Sequence, residues 1–265
     1  MKILFVGDIF GSPGRKIIEA FLPTIKEDEG IDLVIANAEN SAHGKGLTPK
    51  IFRSLINSGV DFVTMGNHTW FRNEVLDILN MEKNIVRPLN LSENFPHFDV
   101  GFGSRELEVK GLRIRITNLL GSSVRFKNFQ TNPFIVMENL LADIEKPDIH
   151  IVDFHAETTS EKYAFLWAFN GRVDAILGTH THVPTNDAQV TEEHTAFICD
   201  VGMTGPSKGV IGGERNRIIK KFFDPSSRFI LEVQEGPSQL SSVILNFDES
   251  IGKMTSITPL LLKRS

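Results

Sequence analysis

Short apolar runs alternate with helix-type segments along this chain, and five of the runs are followed at once by a polar residue that can bind a metal or move a proton. The run at 3–6 precedes Gly7-Asp8, and DLVIANA (32–38) precedes Glu39-Asn40. VDFVTM (60–65) precedes Gly66-Asn67-His68. The run at 149–154 precedes His155 and carries His150 near its start, and the run at 175–177 precedes Gly178-Thr179-His180-Thr181-His182. Runs of this length bounded by turn signals read as buried strands. In open α/β folds, ligands bind beyond the carboxyl ends of such strands. Five turns far apart in sequence are therefore expected to meet at one rim.

The remaining segments fit the same architecture. A helix is expected over 16–29, kinked or split by Pro23. Thr48-Pro49 is a helix start, with threonine as N-cap and proline at the first helical position; Gly59 stops that helix. Another helix is expected over 72–80. Apolar alternation on either side of Lys110-Gly111 predicts a β-hairpin. Helices at 133–144 and 160–169 and strands at 195–201, 240–247 and 253–261 complete the pattern. Two βαβ-like stretches joined by a hairpin predict an α/β fold with mixed sheets under helices. No low-complexity linker or internal repeat divides the chain, so residues 1–265 are expected to form a single domain.

Composition narrows the function. A chain of 265 residues buries about three quarters of its unfolded surface. It needs no disulfide, and its one cysteine, Cys199, suits a reducing compartment. The net charge of −5 argues against a general nucleic-acid binder. The densest basic stretch, Arg215, Arg217, Lys220 and Lys221, reads as a solvated helix face. No apolar run approaches the roughly 18 residues of a membrane span, and Asp8 interrupts the first run too early for a secretory signal. A cytoplasmic protein without a membrane partner is expected.

Taken singly, each polar turn has an ordinary reading. Asp8 could cap a helix, Glu39-Asn40 could be loop polarity, Asn67-His68 could be turn chemistry, and His155 could be structural. His180-x-His182 is harder to set aside, and the recurrence is harder still. Gly7, Gly11 and Gly14 have neither the dinucleotide spacing nor the Walker lysine, so the opening segment is no phosphate cradle. The candidate donors are nitrogen and oxygen without thiolate, which suits Fe, Mn, Zn or Co. They outnumber what one ion with an open position uses. That favours two ions roughly 3.5–4 Å apart, a clamp for phosphoryl chemistry. A carboxylate should bridge them, and Glu39 is the natural bridge. A water between two such cations loses its proton near neutral pH, since even one zinc brings it to about 7; the resulting hydroxide attacks phosphorus in line. His68 fits a general acid or a donor to a phosphoryl oxygen.

These turns resemble the motifs of the calcineurin-like metallophosphoesterases: Gly7-Asp8, Gly66-Asn67-His68, a lone histidine (His155 or His150), and the 178–182 turn. Two departures point to one branch: Phe10 stands where the wider family has a histidine ligand, and Glu39 where an aspartate is usual. The stretches GDIFGSPGRK, ANAENSAHGKGLT, GNHTW, VDFHAETTSEK, GTHTHVPTND and DVGMTGP closely resemble the bacterial YmdB-like phosphodiesterases. The resemblance implies a four-layer α/β/β/α sandwich, a dinuclear iron or manganese-type site, and hydrolysis of phosphodiesters with 2′,3′-cyclic nucleotides as substrate. RNA ends remain open as a further substrate, and a homo-oligomer is implied. Asp8, Asn40 and His182 would hold one ion, and Asn67, His155 and His180 the other. Glu39 would bridge them and His68 would donate the proton. Asn40 would replace the missing histidine, His155 is favoured over His150, and His43 is peripheral. Gly202, Thr204 and Gly205 are expected to border the substrate.

Two other readings compete. A metal-dependent amide or ester hydrolase also uses His-x-His, often on its first strand rather than late in the chain. A non-catalytic regulator could keep the fold and bind a nucleotide or a protein, although every candidate ligand is retained here.

Overall fold

The computed structural model describes residues 1–127, 129–228 and 230–264. Side chains of the first strand, β1 (Lys2–Val6), alternate between two apolar clusters: Ile3 and Phe5 enter one, Leu4 and Val6 the other. A strand buried on both faces needs a layer on each side. The following elements supply one of them: β2 (Asp8–Ile9), α1 (Gly11–Glu29), β3 (Leu33–Asn37), α2 (Pro49–Asn57), β4 (Phe62–Thr64), a 3₁₀ turn (Thr69–Phe71) and α3 (Val75–Met81). The second part of the chain runs through β5 (Ser104–Val109), β6 (Leu112–Leu120), α4 (Pro133–Asp143), β7 (Ile149–His155), α5 (Thr159–Phe169) and β8 (Ala175–Thr179). It ends with β9 (Gln189–Val190), β10 (Ala196–Ile198), β11 (Met203–Pro206), α6 (Arg215–Phe223), β12 (Ser238–Asp248) and β13 (Lys253–Arg264).

The strands form two mixed sheets. One has the order β2-β11-β12-β1-β3-β4, with β13 paired to β12; the other has the order β5-β6-β7-β8-β10-β9. Within the first, β1, β3 and β4 are parallel; within the second, β6, β7, β8 and β10 are parallel. The inner faces meet through Ile3, Phe5, Ile35, Ile149, Ile151 and Leu177. The outer face of the first sheet packs on α1, α2 and α3 through Ile17, Phe52 and Ile78. The outer face of the second packs on α4 and α5 through Met137 and Phe165. This is the expected four-layer helix–sheet–sheet–helix sandwich. Fully burying each such side chain contributes about 1.5–3 kcal/mol, and a one-residue slip would swap the two faces of a strand, so the register is strongly specified.

Local chemistry sets the element ends. Thr48 Oγ1 accepts from Ile51 N at 3.4 Å at the start of α2, and Asn132 Oδ1 accepts from Phe134 N at 2.9 Å before α4. Lys110 (φ 53°) and Gly111 (φ 82°) both lie in the left-handed region, as a two-residue hairpin turn requires.

Three expectations need correction. The first helix begins at Gly11, not at 16, and runs through Pro23 unbroken. Pro23 is exposed, so the carbonyl it leaves unbonded meets water rather than core. The strand expected over 195–201 is only Ala196–Ile198, because Asp200 folds back on Thr185 and Gly202. Asp8 is not in a loop: β2 pairs with β11 through Met203↔Asp8 and Thr204↔Ile9. Helix α6 has no buried residue, in line with the solvated basic face expected there. Among the described residues no helix is long and apolar enough to cross a membrane.

Candidate metal centre

The parallel strands of both sheets end at a shared rim, and all five polar turns meet there. Asp8 follows β1, Glu39 and Asn40 follow β3, and Asn67 and His68 follow β4. His155 closes β7, and His180 and His182 follow β8. Asp8, Glu39, Asn40 and His155 are buried.

His155 sits at the middle of the set. Its Nδ1 lies 2.8 Å from Thr179 Oγ1, whose own proton goes to Asp153 Oδ1 at 2.6 Å. The threonine oxygen therefore accepts, Nδ1 carries the hydrogen, and the Nε2 lone pair points at the centre. Around that Nε2 lie Glu39 Oε1 at 3.1 Å, Asn67 Oδ1 at 3.0 Å and His180 Nδ1 at 3.0 Å. His180 is oriented in the same way, with its Nε2 2.8 Å from Glu157 Oε2, so its Nδ1 lone pair also faces inward. Four lone-pair atoms thus crowd one point, with at most one proton to share among them.

The same logic holds beside it. His182 Nδ1 donates to Ile211 O at 2.9 Å, which turns its Nε2 lone pair toward Asn40 Oδ1 at 3.3 Å. Asn40 is oriented by its own Nδ2, which donates to Gly44 O at 2.9 Å. Asp8 Oδ2 accepts from His180 N at 3.1 Å. Its buried Oδ1 has no hydrogen-bond partner among the described residues and lies 3.9 Å from His155 Nδ1.

The electrostatics express the same shortage of positive charge. Burial alone would lower the His155 pKa, but the carboxylates of Glu39, Asp8 and Asp153 win and push it up to about 9. Burial would raise Glu39, yet His155 and His68 hold it well below the usual carboxylate range. Burial raises Asp8, opposed by His182 and His155. Burial, with the His155 cation next to it, pushes His180 down to about 3. The donors are two carboxylates, carboxamide oxygens and imidazoles, a set that suits transition metals. Gly66 leaves room for them: a methyl group there would fall on the Glu39 carboxylate and within 2.5 Å of His155 Nε2. Glu39, His155 and His180 offer ligand atoms that all lie within 4.8 Å of one another. The residues present fit the metal ions that the fold implies.

Backbone strain marks the turn after β8. His180 (φ 98°) and His182 (φ 67°) both have positive φ, a conformation that costs on the order of 1–3 kcal/mol per non-glycine residue. The brace that holds it lies outside the residues that the sequence singles out. Asp200 Oδ2 accepts from Thr181 N at 3.0 Å, from Thr181 Oγ1 at 2.8 Å and from the buried Lys162 Nζ at 2.8 Å. Asp153 is likewise outside the residues that the sequence singles out. It accepts from Asn37 Nδ2 at 2.9 Å and Thr64 Oγ1 at 2.5 Å as well as from Thr179, and burial raises its pKa to about 6. An aspartate inside an apolar strand run and a lysine on the buried face of a helix were the signals available.

His68 stands at the lip of the centre, 24% exposed. Its backbone N donates to Glu39 Oε2 at 2.7 Å, and its Nδ1 lies 3.1 Å from Glu39 Oε1 and 3.0 Å from Asn40 Nδ2. His43 is exposed and apart from these groups, and His150 is buried at the other end of β7. Gly202, Thr204 and Gly205 are buried. Thr204 and Gly205 belong to strand β11 rather than to an open loop, and the Thr204 hydroxyl is bonded to Ser241.

A family model described as "YmdB-like protein" matches residues 4–260. The chain belongs to the YmdB-like family. It is 42% identical over 264 residues to a Bacillus subtilis protein named 2′,3′-cyclic-nucleotide 2′-phosphodiesterase, covering 99% of this chain and 97% of that one. The crystal structure of a Mycoplasma pneumoniae protein described as a novel phosphatase superposes with a TM-score of 0.95 at 44% identity, covering 99% of this chain and 93% of that one. A hypothetical protein from Thermus thermophilus superposes with a TM-score of 0.91 at 36% identity over 100% of both chains. Both solved structures thus share this architecture along nearly the whole chain.

Proposed function

We propose that this chain is a phosphodiesterase that hydrolyses 2′,3′-cyclic nucleotides at a centre holding two transition metal ions, iron or manganese by preference, with zinc or cobalt as alternatives. One observation carries the reading. Lone pairs collect at two neighbouring points, around His155 Nε2 and between His182 Nε2 and Asn40 Oδ1, with Glu39 beside the first. In this reading Asn67, His155 and His180 hold one ion, Asp8, Asn40 and His182 hold the other, and Glu39 bridges. The name of the Bacillus subtilis relative supports the substrate class. All of 1–265 acts as one domain, because the ligands come from both sheets.

When bound, the ions supply positive charge for the phosphoryl oxygens and a water acidic enough to act as nucleophile. The protein does the rest. Thr179 and Asp153 keep the Nδ1 proton on His155 and so keep its Nε2 facing the centre. Asp200 and Lys162 hold the strained 180–182 turn in place. His68, anchored through Glu39, presents its Nε2 to the leaving alkoxide and gives it a proton.

The test is elemental analysis of the purified protein alongside hydrolysis of 2′,3′-cyclic AMP. Two bound transition metals and turnover are expected. His68→Ala should keep the metals while kcat falls roughly 10²–10⁴-fold, the range of general acid–base catalysis. Full activity in Glu39→Gln, or activity on amides instead of cyclic phosphates, would overturn the reading.

A further inference from the structure

Next to His68 the surface opens into a cavity of about 410 Å³, within the range of small-molecule sites. One end is formed by Asn67 and His68. The rest is walled by aromatic rings from three separate connections: Trp70 from the 3₁₀ turn, Phe95 and His97 from the segment between α3 and β5, and Phe126 and Phe129 from the segment between β6 and α4. The rings support one another. Phe95 is buried and lies 5.1 Å from Trp70, 5.4 Å from Phe126 and 5.2 Å from Phe129 between centroids. Trp70 and His97 stack at 5.7 Å and 25°. Two exposed cations, Arg125 and Lys127, stand at the mouth, and neither has an ion-pair partner among the described residues.

A core cluster of five rings would close on itself. This one stays open toward the residue placed to protonate the leaving group, with cations at its rim. Flat apolar walls and positive charge beside a phosphoryl site suit an anion that carries a flat ring. Resting on the phosphodiesterase reading, we propose that this cavity is the nucleobase subsite: with the scissile phosphorus at the metal centre, the base stacks against Trp70 and Phe126, which Phe95 supports from behind. Stacking needs only a π face, so the subsite accepts any base. Arg125 and Lys127 draw the anionic nucleotide to the mouth. The subsite thereby favours a nucleotide over a small phosphodiester without a base.

The test compares 2′,3′-cyclic AMP with glycerol 1,2-cyclic phosphate, which has no base, on the metal-loaded protein. Phe126→Ala should raise KM for cyclic AMP roughly tenfold, as loss of one base–aromatic stack does, with little change in kcat and a shift of less than about twofold for the glycerol ester. Phe126→Tyr should restore the parent KM. A separate readout needs no turnover: adenosine 2′-monophosphate should quench tryptophan fluorescence in the parent and in Trp167→Phe, but not in Trp70→Phe. Quenching without hydrolysis of either ester would sink the phosphodiesterase reading and keep the subsite. Equal KM shifts for both esters, or no quenching at millimolar nucleotide, would overturn the subsite.

Discussion

Strand β7 carries two buried histidines, His150 near its start and His155 at its end, and the molecule treats them in opposite ways. Burial, aided by the Arg115 guanidinium, pushes the His150 pKa down to about 3. At His155 the surrounding carboxylates overcome the same burial penalty and push the pKa up to about 9. His150 Nε2 shares a hydrogen with Thr117 Oγ1 at 2.8 Å, and its Nδ1 has no partner among the described residues. His155 uses both nitrogens, one toward Thr179 and one toward the converging acceptors and carboxylates. Burial alone therefore says nothing about function. What separates a structural imidazole from a candidate ligand is the sign of the charge around it, and that depends on which end of a parallel strand it occupies.

The sharpest way to break the comparison is to remove each ring in turn. His155→Ala should abolish bound metal at one position and lower cyclic nucleotide hydrolysis by more than about 100-fold, beyond the cost of losing an outer-shell partner. His150→Gln should leave metal content at the parent value and activity within about twofold, as expected for a group outside the site. Equal losses in the two variants would mean that strand integrity, not ligation, explains the effect.

A finer cut tests the orientation of His155. Thr179→Val keeps the shape of the side chain but removes the hydroxyl between His155 Nδ1 and Asp153. Loss of such a partner costs roughly 10–100-fold in metal affinity or activity. Metal titration by calorimetry should show the weaker binding, and excess metal should recover part of the activity. A variant with parent affinity would mean that packing alone aims the ring.

Much of this contrast is legible in the sequence. Each buried run followed by Asp8, Glu39, Asn67 or His180 announces its position, because a polar residue just past a buried parallel strand must lie at the sheet's rim. His155 and His150 can be told apart there only by where the strand ends and by family resemblance. Asp153 and Thr179 are not legible, because a polar residue in or beside an apolar run gives no sign of whether it faces a partner. The pairing of β2 with β11 is hidden as well: two residues carry no periodicity, so Asp8 reads as loop. The aromatic cavity is invisible for a third reason. Trp70, Phe95 and Phe126 lie on three connections, and each alone is an ordinary hydrophobic residue.

The comparison also carries a pH dependence that His150 imposes on stability. Its folded pKa of about 3 lies below the ordinary value of about 6.5. Between those values the unfolded chain binds a proton that the folded chain does not. The stability is therefore fully present above about pH 6.5 and is lost as pH falls toward 3, at up to about 1.4 kcal/mol per pH unit. Buried carboxylates such as Asp153, raised to about 6, act in the opposite direction, so the parent's acid limb is a sum of several groups. His150→Gln removes one contribution and leaves the others in place. Urea midpoints measured from pH 7 to pH 4 should fall less steeply in this variant than in the parent, and the difference between the two curves should open below about pH 6.5. Parallel curves would mean that His150 takes up its proton without opening the fold, and the contrast along β7 would then be one of geometry rather than of charge.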